Sequence, residues 1–413
     1  MILKGRSPLT GGGVEVEVSG DRVVRATPVD LSDDAPFVSQ GFIDLQVNGY
    51  HGIDYSGENL RSGDVRHIVE LLVVSGTTTH VPTVITNSHE RILGSLRAIA
   101  AALSAEGPIG SDADLEGSVA GIHVEGPYIS ENDGARGAHD AQFVRDPSLG
   151  EYEEWQEASG GRVSIMTLAP ERDGALPFIE RVAGDGVVVG IGHTEADAVL
   201  IGEAVAAGAR LSTHLGNGSA LQIHRLRNHI WPQLAEDRLT ASVVADGFHL
   251  PDEVLTVITR AKGEDGLILV SDVSPIAGYA EGTYRWGTVE VEAFADGHLQ
   301  LAGSEYLAGA GHLLDHCVAR TARAATIPGD GGRSTRRSEK HRPGKPGDGG
   351  MGRAVKAATT NPARLLGLSD LAGGITVGAR ANLVLFRNRP IENRVMILKV
   401  IRNGRVVVDA NGQ

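Results

Sequence analysis

The chain is predicted to form a (β/α)8 barrel of the TIM type, with a small β-sandwich domain built from both chain ends. Three observations support this fold class. Strand-like apolar segments alternate with helical patterns through the middle of the chain, as in a closed parallel barrel. Both ends instead alternate apolar and polar residues with a period of two, which is typical of half-buried antiparallel strands. The length of 413 residues exceeds the roughly 250 residues of a barrel alone and leaves room for an accessory domain.

The two chain ends are predicted to form the β-sandwich domain from residues 1–40 and 366–413. Near the N-terminus, Val14-Glu15-Val16-Glu17-Val18 alternates apolar and acidic side chains. Near the C-terminus, strand patterns cover residues 381–386 and 399–408. Because these strands flank the predicted barrel in sequence, we expect them to meet in one small domain beside it.

The predicted barrel occupies residues 41–365 and repeats a strand–helix order with right-handed crossovers. Helical patterns lie between most strands, for example at 65–74, 92–102 and 196–207. A doubly wound open sheet is the alternative, but it would place the strand ends along a line and not around a ring. The predicted strands are 42–47, 78–85, 119–125, 163–168, 187–193, 211–214, 241–245 and 267–272.

Residues 328–353 interrupt this pattern and are predicted to be a disordered insertion. The segment is rich in glycine and basic residues and contains almost nothing apolar. Such a stretch cannot bury enough surface to offset the entropy of ordering it. A phosphate-binding arm is the alternative reading of its basic residues.

Composition and charge exclude several classes of partner. The formal net charge of −14 argues against binding to nucleic acid or to an anionic membrane surface. The N-terminus lacks the apolar core of a signal peptide, and no stretch reaches the roughly 20 apolar residues that span a bilayer. Cys317 is the only cysteine, so no internal disulfide can form, and a reducing, cytoplasmic location is expected. This cysteine is interpreted as a small buried hydrophobe.

Four segments each place a side chain of a metal-binding type at the end of an apolar strand. These side chains are Glu125, His193, His214 and Asp272. All strand C-termini of a barrel meet at one face, so the four residues can converge on one ion. One carboxylate, two imidazoles and an open position suit a catalytic zinc or a similar divalent metal. The structural alternatives are hydrogen-bonded histidines and, for Asp272, a helix N-cap.

The chain also carries a set of short motifs over about residues 41–385, with the predicted insertion as the main gap. The motifs are Gly41-Phe42-Ile43-Asp44-Leu45-Gln46-Val47-Asn48-Gly49, His123-Val124-Glu125-Gly126-Pro127, Gly192-His193-Thr194, Thr213-His214-Leu215, Ala245-Asp246-Gly247-Phe248-His249, Ser271-Asp272, Leu301-Ala302-Gly303-Ser304 and Asn361-Pro362-Ala363-Arg364. As an ordered set, they resemble the N-acetylglucosamine-6-phosphate deacetylase family of the amidohydrolase superfamily. No single motif would be specific.

The resemblance implies an activity and a role for each site residue. The implied reaction is hydrolysis of N-acetylglucosamine 6-phosphate to acetate and glucosamine 6-phosphate. Glu125, His193 and His214 are implied to hold one divalent metal ion, expected to be zinc, with iron, cobalt or manganese as alternatives. Asp272 is implied to be the catalytic acid/base, and His139 to help hold the developing oxyanion.

Gln46-Val47-Asn48 stands where many amidohydrolases carry His-x-His, which supplies ligands to a second metal. Amides are poor ligands for zinc beside imidazole or carboxylate. A single-metal site is therefore predicted, with a two-metal site as the alternative.

The resemblance further maps contacts to the sugar phosphate onto Asn217, Arg225 and His249. The planar fork of arginine suits a phosphate group, although solvent-exposed charges are the alternative for Arg225 and Arg227. The phosphate site in this family can include residues from a neighbouring subunit, which implies a homodimer. Residues 215–231 depart from the family pattern, so another N-acyl amino sugar, phosphorylated or not, is an alternative substrate.

Two further functions stay open at this stage. A cyclic amidase or N-acyl-amino-acid deacylase would more often show His-x-His and a bridging lysine, and neither is evident. A non-catalytic sugar-phosphate-binding protein would not need the proton shuttle that Asp272 offers.

Overall fold

A closed ring of parallel strands forms the centre of the structure, and both chain ends contribute to a separate antiparallel sheet. The computed structural model describes residues 1–104, 115, 117–324, 349–389 and 393–410. In chain order, the strands of these residues are β1 Ile2–Arg6, β2 Gly13–Ser19, β3 Arg22–Val29, β4 Phe37–Gln40, β5 Phe42–Val47, β6 Gly49–Tyr50, β7 Ile53–Asp54, β8 Thr77–Ile85, β9 Ile122–Glu125, β10 Val163–Leu168, β11 Val188–Ile191, β12 Leu211–Ser212, β13 Thr240–Val244, β14 Leu267–Val270, β15 Gly282–Trp286, β16 Val289–Ala293, β17 Leu299–Leu301, β18 Leu383–Arg389, β19 Arg394–Arg402 and β20 Arg405–Asp409.

The barrel consists of eight parallel strands in the order β5-β8-β9-β10-β11-β12-β13-β14. Its first and last strands are joined just beyond their ends. The N–H of Asp272 donates to the carbonyl oxygen of Gln46 at 3.0 Å, and the N–H of Asn48 donates to that of Val273 at 2.9 Å. Val47 and Val273 form a parallel bridge between the same two segments. The predicted barrel is therefore confirmed, and the open-sheet alternative is wrong.

Helices follow most barrel strands and cover the outside of the ring. Within the described residues, none of them is long and apolar enough to cross a membrane. Short 3-10 helices cover Val73–Ser75 and Ala141–Phe143. The α-helices are α1 Ser62–Leu72, α2 His89–Ser104, α3 Asp133–Arg136, α4 Leu149–Ser159, α5 Ala175–Gly184, α6 Ala198–Ala207, α7 Ile230–Ala235, α8 Asp252–Lys262, α9 Leu314–Ala324, α10 Gly349–Ala358, α11 Thr360–Leu365 and α12 Ser369–Ala372.

Helix α6 shows how local sequence fixes the bounds of an element. The carboxylate of Asp197 accepts hydrogen bonds from the N–H groups of Val199 and Leu200, both at 3.0 Å. This cap starts the helix at Ala198, two residues later than the apolar pattern predicts. Gly208 ends it with a φ of +125°, a backbone conformation that favours glycine.

The barrel strands are buried on both faces, which explains their nearly continuous apolar sequences. In β14, Ile268 and Val270 belong to the interior cluster, whereas Leu267 and Leu269 pack in the cluster formed with helices α8, α9 and α10. Side chains on a strand point alternately to opposite faces, so one strand seals the barrel interior and anchors the helices at once.

The chain ends form a seven-stranded sheet in the order β20-β19-β18-β4-β1-β2-β3. The sheet bends so that its two halves pack against each other. Val18 and Val23 of the N-terminal segment share a buried cluster with Leu383 and Ile401 of the C-terminal segment. The two ends therefore form one small β-domain, as the fold class predicts.

The packing moves one predicted domain boundary. Residues from 366 onward were assigned to the β-domain, but Leu371 lies in the interior cluster of the barrel, and Leu366 and Leu368 pack against it. Ile375 is the first residue of this segment that packs against the cluster of the β-domain. The change of domain thus lies near residue 374, because the apolar side chains of α12 are buried under the barrel.

The end of the predicted insertion is wrong, because residues 349–353 belong to α10. Met351 is only 3% exposed and shares a buried cluster with Val318 and Cys317 of α9. Met351 is the apolar residue of this glycine-rich stretch, and its burial extends the apolar face that Ala354, Val355 and Ala358 continue along α10. Residues 328–348 lie outside the described residues. Cys317 is a free, buried thiol, as its interpretation as a small hydrophobe predicts.

The antiparallel sheet β15-β16-β17 is an element that the sequence analysis missed. It is inserted between β14 and α9 and begins with a hairpin that turns at Gly287, where φ is +58°. The alternation in Val289-Glu290-Val291-Glu292-Ala293 was the available signal. This sheet carries Trp286 to the mouth of the barrel.

Asn361 provides a test of how α11 is fixed to the barrel. Its side-chain Nδ2 donates to the carbonyl oxygens of Glu264 and Leu267, both at 2.7 Å. Asn361→Ala removes both donors, so we expect a loss of about 2 kcal/mol in the free energy of unfolding, measured by urea denaturation. The control is Arg364→Ala, which breaks an exposed ion pair with Asp265 and should cost at most about 1 kcal/mol. Equal stability of the two variants would contradict this account.

Candidate metal centre and active site

The side chains predicted to converge lie at the C-terminal ends of the barrel strands. Glu125 is the last residue of β9, and His193, His214 and Asp272 each lie two residues beyond the end of β11, β12 and β14. All four are buried, and all line one cavity of about 500 Å³ at the barrel mouth. The structure therefore brings these four residues together.

The backbone turns sharply at three of these positions. His193, His214 and Asp272 have φ values of 51°, 30° and 54°, in the left-handed region that side chains other than glycine rarely adopt. Each such residue costs on the order of 1–3 kcal/mol, and strain of this kind concentrates at functional sites. No helix begins at Asp272, since the next element is β15 at Gly282, so its interpretation as a helix N-cap is wrong.

Glu125, His193 and His214 present three donor atoms to one point. The His214 Nε2 atom lies 2.9 Å from Glu125 Oε1 and 3.1 Å from His193 Nε2, and His193 Nε2 lies 3.4 Å from Glu125 Oε1. Ligands of a tetrahedral zinc ion, with bonds of about 2.0–2.1 Å, are about 3.3 Å apart. The spacing of these three donors therefore fits a divalent metal ion.

The tautomer of His193 supports the same reading. Its Nδ1 atom lies 2.9 Å from the carbonyl oxygen of Ala135, which can only accept a hydrogen bond. Nδ1 therefore carries the proton, and Nε2 directs a lone pair toward His214 and Glu125. A backbone carbonyl in this position is the common way in which a protein orients a metal-binding histidine.

The electrostatics of the cluster also suit a cation. Burial alone would raise the pKa of Glu125, but the adjacent imidazoles of His193 and His214 outweigh burial and hold the pKa well below its usual range. Glu125 is therefore an anion. Burial, together with the neighbouring His193, lowers the pKa of His139 to about 3, so this imidazole is neutral.

Gln46 and Asn48 support the two buried carboxylates. Gln46 Nε2 donates to Glu125 Oε1 at 3.0 Å, and Asn48 Nδ2 donates to Asp272 Oδ1 at 2.8 Å. Among the described residues, Glu125, His193 and His214 form the one group of three or more metal-binding side chains with all donor atoms within 4.8 Å. The arrangement thus fits one ion.

His139 lies beside this cluster and lines the same cavity. Its Nδ1 atom is 2.7 Å from the hydroxyl of Thr86, and its Nε2 atom is 4.0 Å from Glu125 Oε2. The ring packs edge-to-face on His193, with 4.3 Å between ring centroids. A hydroxyl can donate to Nδ1, which would leave an N–H at Nε2 to donate into the cavity.

A glycine is required where the loop after β12 crosses the ring of His193. Gly218 has a φ of +57°, and a Cβ atom there would lie 2.8 Å from His193 Nδ1. Any larger side chain would displace the imidazole. The unusual sequence of this loop therefore has a structural reason at Gly218.

Two of the three residues predicted to contact the substrate line the cavity. Asn217 has a buried Nδ2 atom without a hydrogen-bond partner, and His249 is bound through Nδ1 to Asp246 Oδ2 at 2.8 Å. Burial alone would lower the pKa of His249, but the charge and hydrogen bond of Asp246 outweigh it and raise the pKa. The third residue, Arg225, is exposed and lies outside this lining.

A second group of residues that line the cavity was not predicted from the sequence. The Leu301-Ala302-Gly303-Ser304 motif directly precedes part of this group and was a usable signal, whereas Trp286 had none beyond its strand pattern. The missed residues are Trp286, Glu305, Tyr306, Leu307 and Gly309.

Comparison with known proteins places the chain in a family. A model of the amidohydrolase family matches residues 318–408. N-acetylglucosamine-6-phosphate deacetylase of Bos taurus is 32% identical over 359 residues, which cover 84% of this chain and 79% of the relative. The enzyme of that name from Bacillus subtilis is 28% identical over 352 residues, with the same coverage of 84% and 79%.

A solved structure agrees with these relatives. A mutant of the N-acetyl-D-glucosamine-6-phosphate deacetylase of Mycobacterium smegmatis, in complex with N-acetyl-D-glucosamine-6-phosphate, has a TM-score of 0.83 to this chain at 29% identity, covering 99% of both chains. The barrel, its cluster of buried donors and these similarities lead to one assignment: the chain belongs to the N-acetylglucosamine-6-phosphate deacetylase family of amidohydrolases.

Proposed function

We propose that this protein hydrolyses N-acetylglucosamine 6-phosphate to acetate and glucosamine 6-phosphate. The observation that carries the proposal is the convergence of Glu125, His193 and His214 within 4.8 Å, in a cavity that Asp272 also lines. Family membership supplies the substrate, which the relatives' names specify. A pure binding protein would have no need of a buried carboxylate beside a metal site.

Glu125, His193 and His214 would hold one divalent metal ion, for which zinc is our proposal. Two imidazoles and one carboxylate, with an open fourth position, are a ligand set typical of catalytic zinc. When bound, such an ion supplies a Lewis acid that acidifies water and polarises a carbonyl group. The donation from Gln46 keeps the Glu125 carboxylate oriented toward the two imidazoles.

Asp272 would act as the general base and then as the general acid. Asn48 holds one of its oxygens by a hydrogen bond of 2.8 Å, which leaves the other to take a proton from water. Burial raises the pKa of Asp272, which favours a group that must both accept and release a proton. The proton then passes to the amide nitrogen, so that the amine leaves as a neutral group.

His139 would stabilise the acetyl oxygen as it gains negative charge. When the Thr86 hydroxyl donates to Nδ1, the neutral imidazole of His139 carries its proton on Nε2 and can donate it in a hydrogen bond to the acetyl oxygen. A donor of this kind, fixed in advance, is typically worth roughly 3–4 kcal/mol in the transition state.

The phosphate end of the substrate would be bound by His249 and Asn217. The Asp246 carboxylate favours the cationic form of His249, which suits a phosphate dianion. The unpaired Nδ2 of Asn217 is a further donor. Arg225 is assigned to this end of the site by the family resemblance alone.

We infer that the protein is a homodimer and that its interface covers a surface formed by the loop 221–231 and α8. This surface exposes Leu226 at 70%, Trp231 at 48% and Val257 at 50%. Exposed apolar patches of this kind mark interaction sites. Arg225 lies in the same loop. A second copy of the chain bound to this surface would cover the Arg225 side chain and hold it near the cavity.

Turnover and metal content together test the proposed function. The wild-type protein should release acetate from N-acetylglucosamine 6-phosphate and carry one divalent ion per chain. Asp272→Asn should keep the ion but lower kcat by at least about 10²-fold, because the proton shuttle is lost. His214→Asn should lose the ion as well as turnover, since a donor is removed.

The measurements are elemental analysis after dialysis and an acetate assay, with His249→Asn as the control that retains the ion. A metal-loaded wild-type protein without acetate release would contradict the proposal.

The role of His249 predicts a pH dependence. Its cationic form is present below its raised pKa and is lost as the pH rises through that value, so KM for the phosphorylated substrate should rise in the same direction. Asp246→Asn removes the charge that raises the pKa of His249, so the rise in KM should begin at lower pH. Steady-state kinetics across pH 5.5 to about 9 would show this shift. Identical pH profiles for the variant and the wild type would show that His249 does not bind the phosphate as a cation.

The homodimer predicts a mass close to twice 43.3 kDa in light scattering. Trp231→Asp places a charge in the proposed interface and should give monomers. The matched control is Val199→Asp on α6, whose side chain is 65% exposed outside this surface and whose replacement should leave the dimer intact. Wild-type protein that is monomeric at micromolar concentrations would refute the inference.

A further inference from the structure

A thin apolar wall separates the cavity of about 500 Å³ from a second cavity of about 360 Å³. Ile85, Ala138 and Trp286 line both cavities. Trp286 is a buried member of an apolar cluster, and Ile85 and Ala138 pack against that cluster. We refer to these three residues as the partition.

The partition borders the centre where the proposed reaction takes place. Ile85 is paired in register with Glu125 between β8 and β9, and Ala138 directly precedes His139. On the opposite side, a Cβ atom built on Gly309 would lie 3.2 Å from the Asp272 carbonyl oxygen and 3.6 Å from Cη2 of Trp286. The partition thus reaches from the metal-binding donors to the acid/base.

The rest of the first cavity has both polar and apolar lining residues, and the apolar ones include Leu221, Ile223, Ile230, Phe248 and Leu307. Asn217, Ser219, His249 and Glu305 offer hydrogen bonds of the kind that a sugar phosphate requires. The acetyl methyl is the apolar part of the substrate, one bond from the carbonyl carbon that must lie between Asp272 and the donor cluster. Among the apolar lining residues, those of the partition adjoin the donor cluster along the backbone, since Ile85 is paired with Glu125 and Ala138 directly precedes His139.

We propose that the partition contacts the acyl methyl and sets the longest acyl group that the enzyme accepts, and that the second cavity is the space a longer chain would occupy. This inference rests on the proposed function and assigns Ile85, Ala138 and Trp286 as specificity-determining residues. Hydrophobic walls of this kind discriminate one methylene by about 10–200-fold in kcat/KM.

Asp54 fixes the partition in place. The indole Nε1 of Trp286 donates to Asp54 Oδ2 at 3.1 Å, and Asp54 Oδ1 accepts from the N–H of Ser56 at 2.8 Å. Asp54 therefore acts as a positioning residue that fixes the indole ring within the cluster against which Ile85 packs. A buried tryptophan whose N–H is hydrogen-bonded has a defined orientation. The partition therefore resists displacement and excludes a longer acyl chain.

The test compares glucosamine 6-phosphate substrates that carry N-acetyl, N-propanoyl and N-butanoyl groups. For the wild type, kcat/KM should fall by at least about 10-fold with each added methylene. Ile85→Ala opens the partition and should raise the ratio of N-butanoyl to N-acetyl activity by about 10-fold or more. Trp286→Phe replaces the indole by a smaller ring and removes the hydrogen bond to Asp54. It should also raise this ratio, and it serves as the second test in case Ile85→Ala does not fold.

The control variant is Ile223→Ala, which removes an equal volume from a different side of the first cavity. Its ratio of N-butanoyl to N-acetyl activity should match that of the wild type. An unchanged ratio in both Ile85→Ala and Trp286→Phe, or an equal increase in Ile223→Ala, would overturn the proposal.

Binding measurements separate this proposal from the proposed function. Calorimetric titration of the three acylated sugars into Asp272→Asn, with and without Ile85→Ala, gives the same comparison without turnover. If the wild type releases no acetate but Ile85→Ala selectively improves binding of the N-butanoyl sugar, the proposed function fails and the partition stands. If acetate is released normally and binding is independent of Ile85, the partition fails alone.

Discussion

Three side chains with metal-binding atoms, Glu125, His193 and His214, converge on one point, and the geometry of the whole site follows from this convergence. An anionic carboxylate and the Nε2 atoms of two imidazoles lie within 3.4 Å of one another in a buried pocket. A buried carboxylate anion needs a positively charged partner, and a metal ion held by these three side chains would supply one. The left-handed backbone at His193 and His214 is held by the closed barrel, which supplies enough packing to support that strain.

The amides of Gln46, in β5, and Asn48, just after it, connect this edge of the barrel to both buried carboxylates of the site. Each donates to a different carboxylate, Gln46 to Glu125 and Asn48 to Asp272. Histidines in their place would offer ligands for a second ion, whereas these amides orient the existing carboxylates. The result is one cluster of three donor side chains and one separate carboxylate, side by side in the same cavity.

Much of this arrangement could be predicted from the sequence, because each barrel strand is a continuous apolar run that ends in a chemically distinct side chain. The rule that parallel strands end at one face of a barrel then predicts that Glu125, His193 and His214 come together.

The position of Trp286 could not be predicted, since it depends on a hydrogen bond to Asp54, 232 residues away in sequence. The helical residues 349–353 were missed because they are glycine-rich, whereas the packing of α10 against α9 depends on Met351 together with residues 354–358. Arg225 illustrates a third limit: a motif position specifies a residue type, but its exposed loop does not bring it to the cavity within one chain.

Crystallography with anomalous scattering at the zinc edge tests the central claim most directly. For protein prepared with zinc, the account predicts one strong peak per chain, about 2.0–2.2 Å from a Glu125 oxygen and from the Nε2 atoms of His193 and His214. A barrel mouth without such a peak, or a zinc ion bound by other residues while these three side chains point apart, would contradict it.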